Sequence, residues 1–371
     1  MNTPTGDRPP GRPRSFQGPL AEIDRYEGPD AGQLGEFLAA HGLGSPAARD
    51  QGTGVALLVG ARGCAQLAGL PVAAPSPVAV PEVVAVAYRR TDAPVGPAPG
   101  EAAVGEWHTS WADGQHASAV EQVRQAICRG DVYQANVVGH RSAPASGDPR
   151  RLARLAAALP GASYGGTLSG TGWAVGSASP EQLIRVIGDR VTTVPVKGTS
   201  LDPDDLRASA KDRAEHVMIV DLARNDLARI SRTGSVDVER LYDLSSWAGL
   251  WHAGSTVSGR LEPGTGAVDV LAALAPGGSV TGAPKRAACA LLAELEPVGR
   301  GPSMGLFGFV WPGGMDLGLT IRTVAVADGR VHLWAGGGIT WGSSAAQEVA
   351  EAHVKAAPVV RALGQVRPSA P

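Results

Sequence analysis

Gly172-Trp173-Ala174-Val175-Gly176, Gln182-Leu183-Ile184-Arg185-Val186-Ile187 and Arg190-Val191-Thr192-Thr193-Val194-Pro195-Val196 are short apolar or alternating runs separated by turn-forming residues. Runs of this length bounded by Gly, Pro, Ser and Asp read as strands, and three in succession predict an antiparallel meander. Upstream, Val120, Val123 and Ile127 recur at helical spacing. Gly130-Asp131 breaks that helix, and Tyr133 to Val138 follow as a strand. Downstream, residues 203–230 carry the strongest helix signal, with an Asp202-Pro203-Asp204-Asp205 start and Val217, Val220, Leu227 and Ile230 on one stripe. The chain closes with Leu317–Val326 and Arg330–Ala335 as a hairpin, a triple-glycine turn at Gly336 to Gly338, and a helix from Ala345 to Leu363. Strand groups with interleaved helices argue for an α+β fold.

Further out the signal weakens. Residues 1–18 and 364–371 lack periodicity and are expected to be loose tails. Between them, residues 19–115 offer a helix near Gln33–His41, a strand over Val55–Val59 and a Pro/Ala-rich stretch from Pro71 to Pro99. A length of 371 residues permits one large domain or two. With 43% hydrophobic and 18% charged residues there is ample material for a core. A net charge of -2 and the absence of a Lys/Arg run disfavour nucleic acid and anionic lipid as partners. No stretch approaches the ~20 apolar residues of a membrane span, and no apolar run follows the N-terminus, so neither insertion nor export is expected. Cys64, Cys128 and Cys289 are odd in number and widely spaced, which suits neither a disulfide framework nor zinc and fits a reducing cytoplasm.

Several segments could carry chemistry. The helix from Lys211 to Asp226 sets many ionisable groups beside an apolar stripe. Most are expected to be solvated, although Asp221, Arg224, Asn225 and Asp226 lie among apolar neighbours and need partners. Glu348, Glu351 and Lys355 share one helix face. Glu351 and Lys355 read as an ordinary i,i+4 pair. Alternatively, a carboxylate from this helix meeting Glu215 makes a hard oxygen site of the kind magnesium takes. Pro276 to Lys285 is a Gly-rich loop entering a helix, able to offer backbone N–H groups to an anion, but without P-loop spacing.

Taken in order, these segments resemble the chorismate-using enzymes: the anthranilate synthase large subunit, the synthase subunit of aminodeoxychorismate synthase, and the isochorismate and salicylate synthases. The likeness runs from about Val120 to Ala357 and includes Gly130 to Asn136, Ser179-Pro180-Glu181, Pro195 to Thr199, Lys211 to Asp226, His252 to Ser255, Pro276 to Lys285, Ile321-Arg322-Thr323 and Gly336 to Glu351. It implies one domain over 19–363, with a catalytic core from about 116 to 363. In that domain two large antiparallel sheets pack as a sandwich with helices outside. It also implies Mg2+ held by Glu215 and Glu351 with Glu348 nearby, and chorismate carboxylates held by Arg322 and Lys355. Further substrate contacts would come from Gln134, Ser279, Gly282, Ala283, Gly337 and Gly338. Glu181 corresponds to the general acid for the departing ring hydroxyl, and His252 to a histidine beside the substrate.

Within the resemblance Lys197 discriminates. Lysine at this position is characteristic of aminodeoxychorismate synthases, where its amine attacks the ring and ammonia later displaces it at C4. Such an amine must be neutral, which demands burial or nearby positive charge. Gln134 agrees with an ammonia-using member. The expected reaction is therefore amination of chorismate to 4-amino-4-deoxychorismate, a step toward 4-aminobenzoate, with ammonia from a separate glutamine amidotransferase subunit. The rivals are anthranilate synthesis, amination at C2 without aromatisation (2-amino-2-deoxyisochorismate), and a catalytically idle chorismate-binding subunit. The last is motivated by Ser303 and Phe309, which stand where tyrosine is common. Ala352 replaces a frequent threonine, and the short N-terminal third lacks the segment that often forms a tryptophan pocket.

Overall fold

The meander expected over 172–196 is divided between two sheets. Trp173–Ser179 pairs with Tyr164–Gly170 and Thr323–Ala327, whereas Gln182–Ile187 pairs with Arg190–Val194 and Gly314–Leu319. Pro180 and Glu181 carry the chain across, and proline, having no N–H for a ladder, suits the change of sheet. The expected strand Leu317–Val326 is split in the same way: Thr320 to Arg322 leave one sheet for the other, and Arg322 bends the backbone at φ 50. The two crossings lie side by side. Leu319 N donates to Glu181 O at 3.1 Å and Ala178 N to Arg322 O at 3.1 Å.

This computed structural model describes residues 20–29, 31–44, 52–92, 98–247 and 250–364. The expected tails lie outside these residues, except Gly364, which ends the last helix. The described residues form two antiparallel sheets with helices, the α+β sandwich anticipated. The larger sheet, of ten strands, runs Leu20–Gly28, Val83–Arg90, Thr53–Val59, Leu306–Trp311, Gly314–Leu319, Gln182–Ile187, Arg190–Val194, Leu250–Arg260 and Val196–Ser200, with Asp237–Trp247 also on Leu250–Arg260. The smaller, of eight, runs Gly282–Ala283, Gln134–Gly147, Arg330–Ile339, Thr323–Ala327, Trp173–Ser179 and Tyr164–Gly170, with two short strands on Gln134–Gly147. The strand Val83–Arg90 falls inside the Pro/Ala-rich stretch, where proline obscured it.

Three apolar clusters hold the layers together. The largest joins inward residues of both sheets, such as Val138, Val175 and Trp334 with Ile184, Leu306 and Leu317. A second fills the space between the outer face of the smaller sheet and the helices Pro149–Ala157 and Ala345–Gly364, with Val331 and Leu333 against Ala356 and Val359. The third seats the helices Asp113–Arg129 and Lys285–Leu295 on the start of Gln134–Gly147 through Val120, Val123 and Leu292. Each such Val, Leu or Ile side chain gains ~1.5–3 kcal/mol from burial.

Two local expectations need correction. The helix over 203–230 is two helices, Pro203–Ala208 and Ala210–Ala228, parted where Ser209 takes ψ 99. Val217 is 51% exposed, and the buried stripe runs through His216, Ile219, Val220 and Leu227 instead. Gly336 to Gly338 do not turn; they continue the strand Arg330–Ile339 opposite Val138, Val137 and Asn136.

The anchor of the cleft wall is a buried ion pair. Arg300 donates to both carboxylate oxygens of Glu296, and also to Val280 O and Asn136 O, while Glu296 accepts from Val138 N at 3.0 Å. One pair thus satisfies backbone groups of a strand and a loop together. Removing one partner of such a pair leaves a buried charge, so Arg300→Ala should lose ~3–5 kcal/mol of stability. Urea unfolding measures this, and a loss below about 1 kcal/mol, the scale of a surface pair, would contradict the anchoring role.

Candidate active site

A cleft of about 600 Å³ opens where the chain crosses between the sheets. Its walls include Glu181, Lys197, Glu215, His252, Ser279, Arg322, Gly338, Glu348, Glu351 and Lys355, which the sequence offers from seven separated segments. Gln134, Gly282, Ala283 and Gly337 do not line it. The backbone of Gly282 and Ala283 is occupied by pairing with Ala135 and Gln134, so these two residues shape the strand edge.

Glu181 stands at the first crossing, 7% exposed, with Oε1 accepting from Ser279 Oγ at 2.8 Å. Burial drives its pKa up to about 7, outweighing the lowering by the Ser279 hydroxyl and the Lys197 charge. At neutral pH this carboxyl therefore holds a proton part of the time, as a general acid must.

Lys197 lies one residue beyond the start of Val196–Ser200. Pro195 interrupts the run that began at Arg190, and a bulge follows between Lys197 and Thr199, with Gly198 at φ 79. A bulge re-aims the neighbouring side chain, here into the cleft. Burial and the Lys355 ammonium lower the Lys197 pKa; Glu181, Glu215 and Glu351 oppose this without reversing it. His252 lies on Leu250–Arg260, paired with Thr199 on one side and Ser245 on the other, and is 2% exposed.

The acidic wall comes from two helices. Glu215, on Ala210–Ala228, accepts from Thr340 Oγ1 at 3.4 Å. Its neighbour His216 is buried with Nε2 at 2.6 Å from Ser255 Oγ, and burial followed by the Lys197 charge holds its pKa down to about 4. From Ala345–Gly364, Glu348 accepts from Ser343 Oγ at 2.6 Å, and Glu351 pairs with Lys355 at 2.6 Å. Glu351 and Lys355 are about half exposed, so that pair contributes little to stability. Lys355 also donates to Gly336 O at 3.0 Å.

The glycines now have a physical reason. A Cβ on Gly337 would lie 2.9 Å from Glu348 Oε2, 3.6 Å from Lys355 Nζ and 3.8 Å from Glu351 Oε1. One on Gly338 would lie 2.6 Å from Gln134 Nε2 and 3.3 Å from Lys197 Nζ. Bare backbone lets charged groups converge on both faces of this strand.

Arg322, at the second crossing, is half-buried, and removal from water lowers its pKa. It makes no ion pair among the described residues, so a guanidinium faces the cleft ready for an anion. Gln134 is fully buried behind Gly338 with neither polar side-chain atom hydrogen-bonded, and Asn136 Oδ1 is likewise unpartnered while its Nδ2 donates to Ser279 O. Sequence reading missed Asn136, Met304 and Trp334 as wall residues. For Asn136 a signal existed, since i and i+2 on a strand share a face with Gln134. Ser303 is turned away, fully buried with Oγ donating to Thr320 O, and Phe309 packs 7% exposed in a strand of the larger sheet.

Among the described residues no three His, Cys, Asp or Glu side chains close on one point. Glu348 and Glu351 converge at Gly337, and Glu215 lines the same cleft. One or two carboxylates plus water and an anionic ligand is the shell Mg2+ takes, so hard oxygens disposed in this way fit it.

The cleft thus gathers a buried acid, an amine of lowered basicity, a guanidinium with no ion pair among the described residues and a row of carboxylates. The chain belongs to the chorismate binding enzyme family, whose sequence model matches residues 75–361. It is 39% identical over 276 residues to anthranilate synthase component 1 of Streptomyces coelicolor, covering 71% of this chain and 54% of that protein. To aminodeoxychorismate synthase component 1 of Escherichia coli it is 35% identical over 269 residues, covering 70% and 59%. The chain thus spans between half and three-fifths of these relatives' lengths. In fold it is similar to the crystal structure of anthranilate synthase component I from Streptococcus pneumoniae, with a TM-score of 0.78, 24% identity and 94% of each chain covered. Among the described residues no helix is long and apolar enough to cross a membrane.

The raised pKa of Glu181 is directly measurable by carbon NMR of its carboxyl, assigned by loss of the signal in Glu181→Gln. The midpoint is expected near 7. It should move higher in Ser279→Ala, because the lost hydroxyl favoured the carboxylate. A midpoint at the ordinary glutamate value in the unmodified protein would contradict the burial argument.

Proposed function

We propose that this protein is the chorismate-aminating subunit of a two-component synthase, making 4-amino-4-deoxychorismate in the cytoplasm with ammonia from a separate glutamine amidotransferase. The observation that carries this reading is the pairing in one cleft of Lys197, with its lowered pKa, and Glu181, with its raised one. Opposed shifts of this kind move both groups toward their neutral forms, a nucleophile beside an acid.

Arg322 and Lys355 bind and orient the substrate carboxylates. Glu215 and Glu351, with Glu348, would hold Mg2+, which when bound supplies positive charge to the ring carboxylate. The Lys197 Nζ lone pair bonds to the ring as the C4–O bond breaks, and Glu181 passes its proton to the departing hydroxyl, which leaves as water. Ammonia then bonds at C4 while the bond to Nζ breaks and its electron pair returns to the amine. The surplus proton of the new ammonium returns to the Glu181 carboxylate, restoring the starting state. His252 and Ser279 shape the cleft about the ring.

A second reading, amination at C2 to anthranilate or 2-amino-2-deoxyisochorismate, is favoured by the 39% identity to a relative named anthranilate synthase component 1. Products formed from chorismate, ammonium and Mg2+ separate the readings: 4-amino-4-deoxychorismate is expected, and anthranilate would overturn the assignment. Turnover itself, lost on chelation of Mg2+, excludes an idle binding subunit.

Two substitutions follow from the mechanism. Lys197→Ala should abolish C4 amination while leaving chorismate binding intact, and unchanged activity would remove the covalent route. Glu181→Gln should lower kcat by about 10²–10⁴, the usual worth of a general acid. In the unmodified enzyme kcat should fall as pH rises through about 7, where Glu181 loses its proton. A flat profile to pH 9 would assign the acid elsewhere.

A further inference from the structure

Two residues of the cleft wall, Met304 and Arg322, are non-glycine residues in the left-handed region, at φ 59 and φ 50. L side chains rarely hold this conformation unless the surroundings impose it. One residue connects the two. Thr320 is fully buried and directs its N–H, its carbonyl and its hydroxyl oxygen to Ser303–Gly305. Its N donates to Gly305 O at 3.1 Å, its carbonyl accepts from Met304 N at 2.8 Å and Ser303 Oγ at 3.3 Å, and its Oγ1 accepts from Gly305 N at 2.7 Å. Gly305 in turn lies so close to the backbone of Val59 and Gly60 that a Cβ there has no room. The segment that Thr320 grips is therefore fixed to the larger sheet.

We propose that Thr320 is the positioning residue for Arg322: by anchoring the crossing Thr320–Arg322 to Ser303–Gly305, it holds Arg322 in the left-handed turn that aims its guanidinium into the cleft. The other ties of the crossing lie at its far end and lead to the smaller sheet: the Ile321 carbonyl accepts from Thr323 Oγ1 at 3.1 Å, and Thr323 pairs with Ser177. Ile321 is only partly buried, and the Arg322 backbone is tied to the smaller sheet through its carbonyl, which accepts from Ala178 N. Without the hydroxyl of Thr320, Gly305 N loses its acceptor, the grip slackens, and Arg322 can relax to an ordinary φ that turns the guanidinium away. Thr320 touches neither substrate nor metal in this account, and its action is wholly through Arg322.

This inference rests on Arg322 as the subsite for a substrate carboxylate, and the test separates the two. Steady-state kinetics with chorismate, ammonium and Mg2+ are measured for Thr320→Val, Thr320→Ser, Arg322→Ala and the double variant Thr320→Val with Arg322→Ala. Thr320→Val should raise KM for chorismate about tenfold with kcat within about threefold, and Thr320→Ser, which keeps the oxygen, should stay near the unmodified enzyme. In the Arg322→Ala background Thr320→Val should add no further rise, the non-additivity expected when one residue acts through another. If Arg322→Ala raises KM while Thr320→Val leaves it unchanged, or if the two effects add fully, the positioning role is overturned and the carboxylate subsite stands. If Arg322→Ala leaves KM unchanged, the subsite and the inference fall together. Should Thr320→Val fail to fold, Thr320→Cys, a smaller loss of the same acceptor, is read against the same split.

Discussion

The cleft exists because two adjacent strands leave one sheet for the other at the same place. Ser179-Pro180-Glu181 and Leu319 to Thr323 run side by side through this change, tied by Leu319 N to Glu181 O and Ala178 N to Arg322 O. A ladder interrupted at one level on two neighbouring strands opens the sandwich there, and the residues at the interruption face the opening. Glu181 and Arg322 are those residues. The opposite wall is fastened separately, by the Glu296–Arg300 pair that holds Asn136, Val138 and Val280 through their backbone groups. Displacing either fastening moves an acid, a guanidinium or an amide relative to Lys197.

Within this frame the charges are mutually dependent. Lys197 is disfavoured as an ammonium by removal from water and by Lys355, and favoured by three carboxylates. Glu181 is pushed toward its neutral form by burial, and Lys197 is among the influences pulling the other way. The two therefore titrate as a linked pair, and any cation drawn to Glu215 and Glu351 weakens the carboxylate support for the Lys197 charge. An anion on Arg322 acts in the opposite sense. Binding and protonation state are thus coupled through groups whose backbones come from different sheets and helices.

Much of the fold was legible in local pattern. The helix Asp113–Arg129 and its Gly130 end, the strand Gln182–Ile187 and the closing helix stand where periodicity and turn residues put them. Pattern failed where tertiary pairing decides: nothing local in Trp173–Ser179 and Gln182–Ile187 says that they belong to different sheets. The glycines at 336–338 read as a turn because their actual need, space for Glu348, Lys355 and Gln134, comes from residues distant in sequence. For the cleft, residue types and order pointed to most of the polar wall, yet Gly282 and Ala283 do not line it. Met304 was overlooked beside Ser303 because which of two neighbours faces a cleft depends on a left-handed turn that no side chain announces.

The proposed amination requires Lys197 to become covalently attached to the ring. Intact-protein mass spectrometry of the chain mixed with chorismate and Mg2+ in the absence of ammonia tests it most directly. The predicted result is a species heavier by chorismate less one water, mapped to Lys197 by peptide analysis and discharged on adding ammonium. An enzyme that turns over with ammonium yet shows no such adduct under these conditions would contradict it.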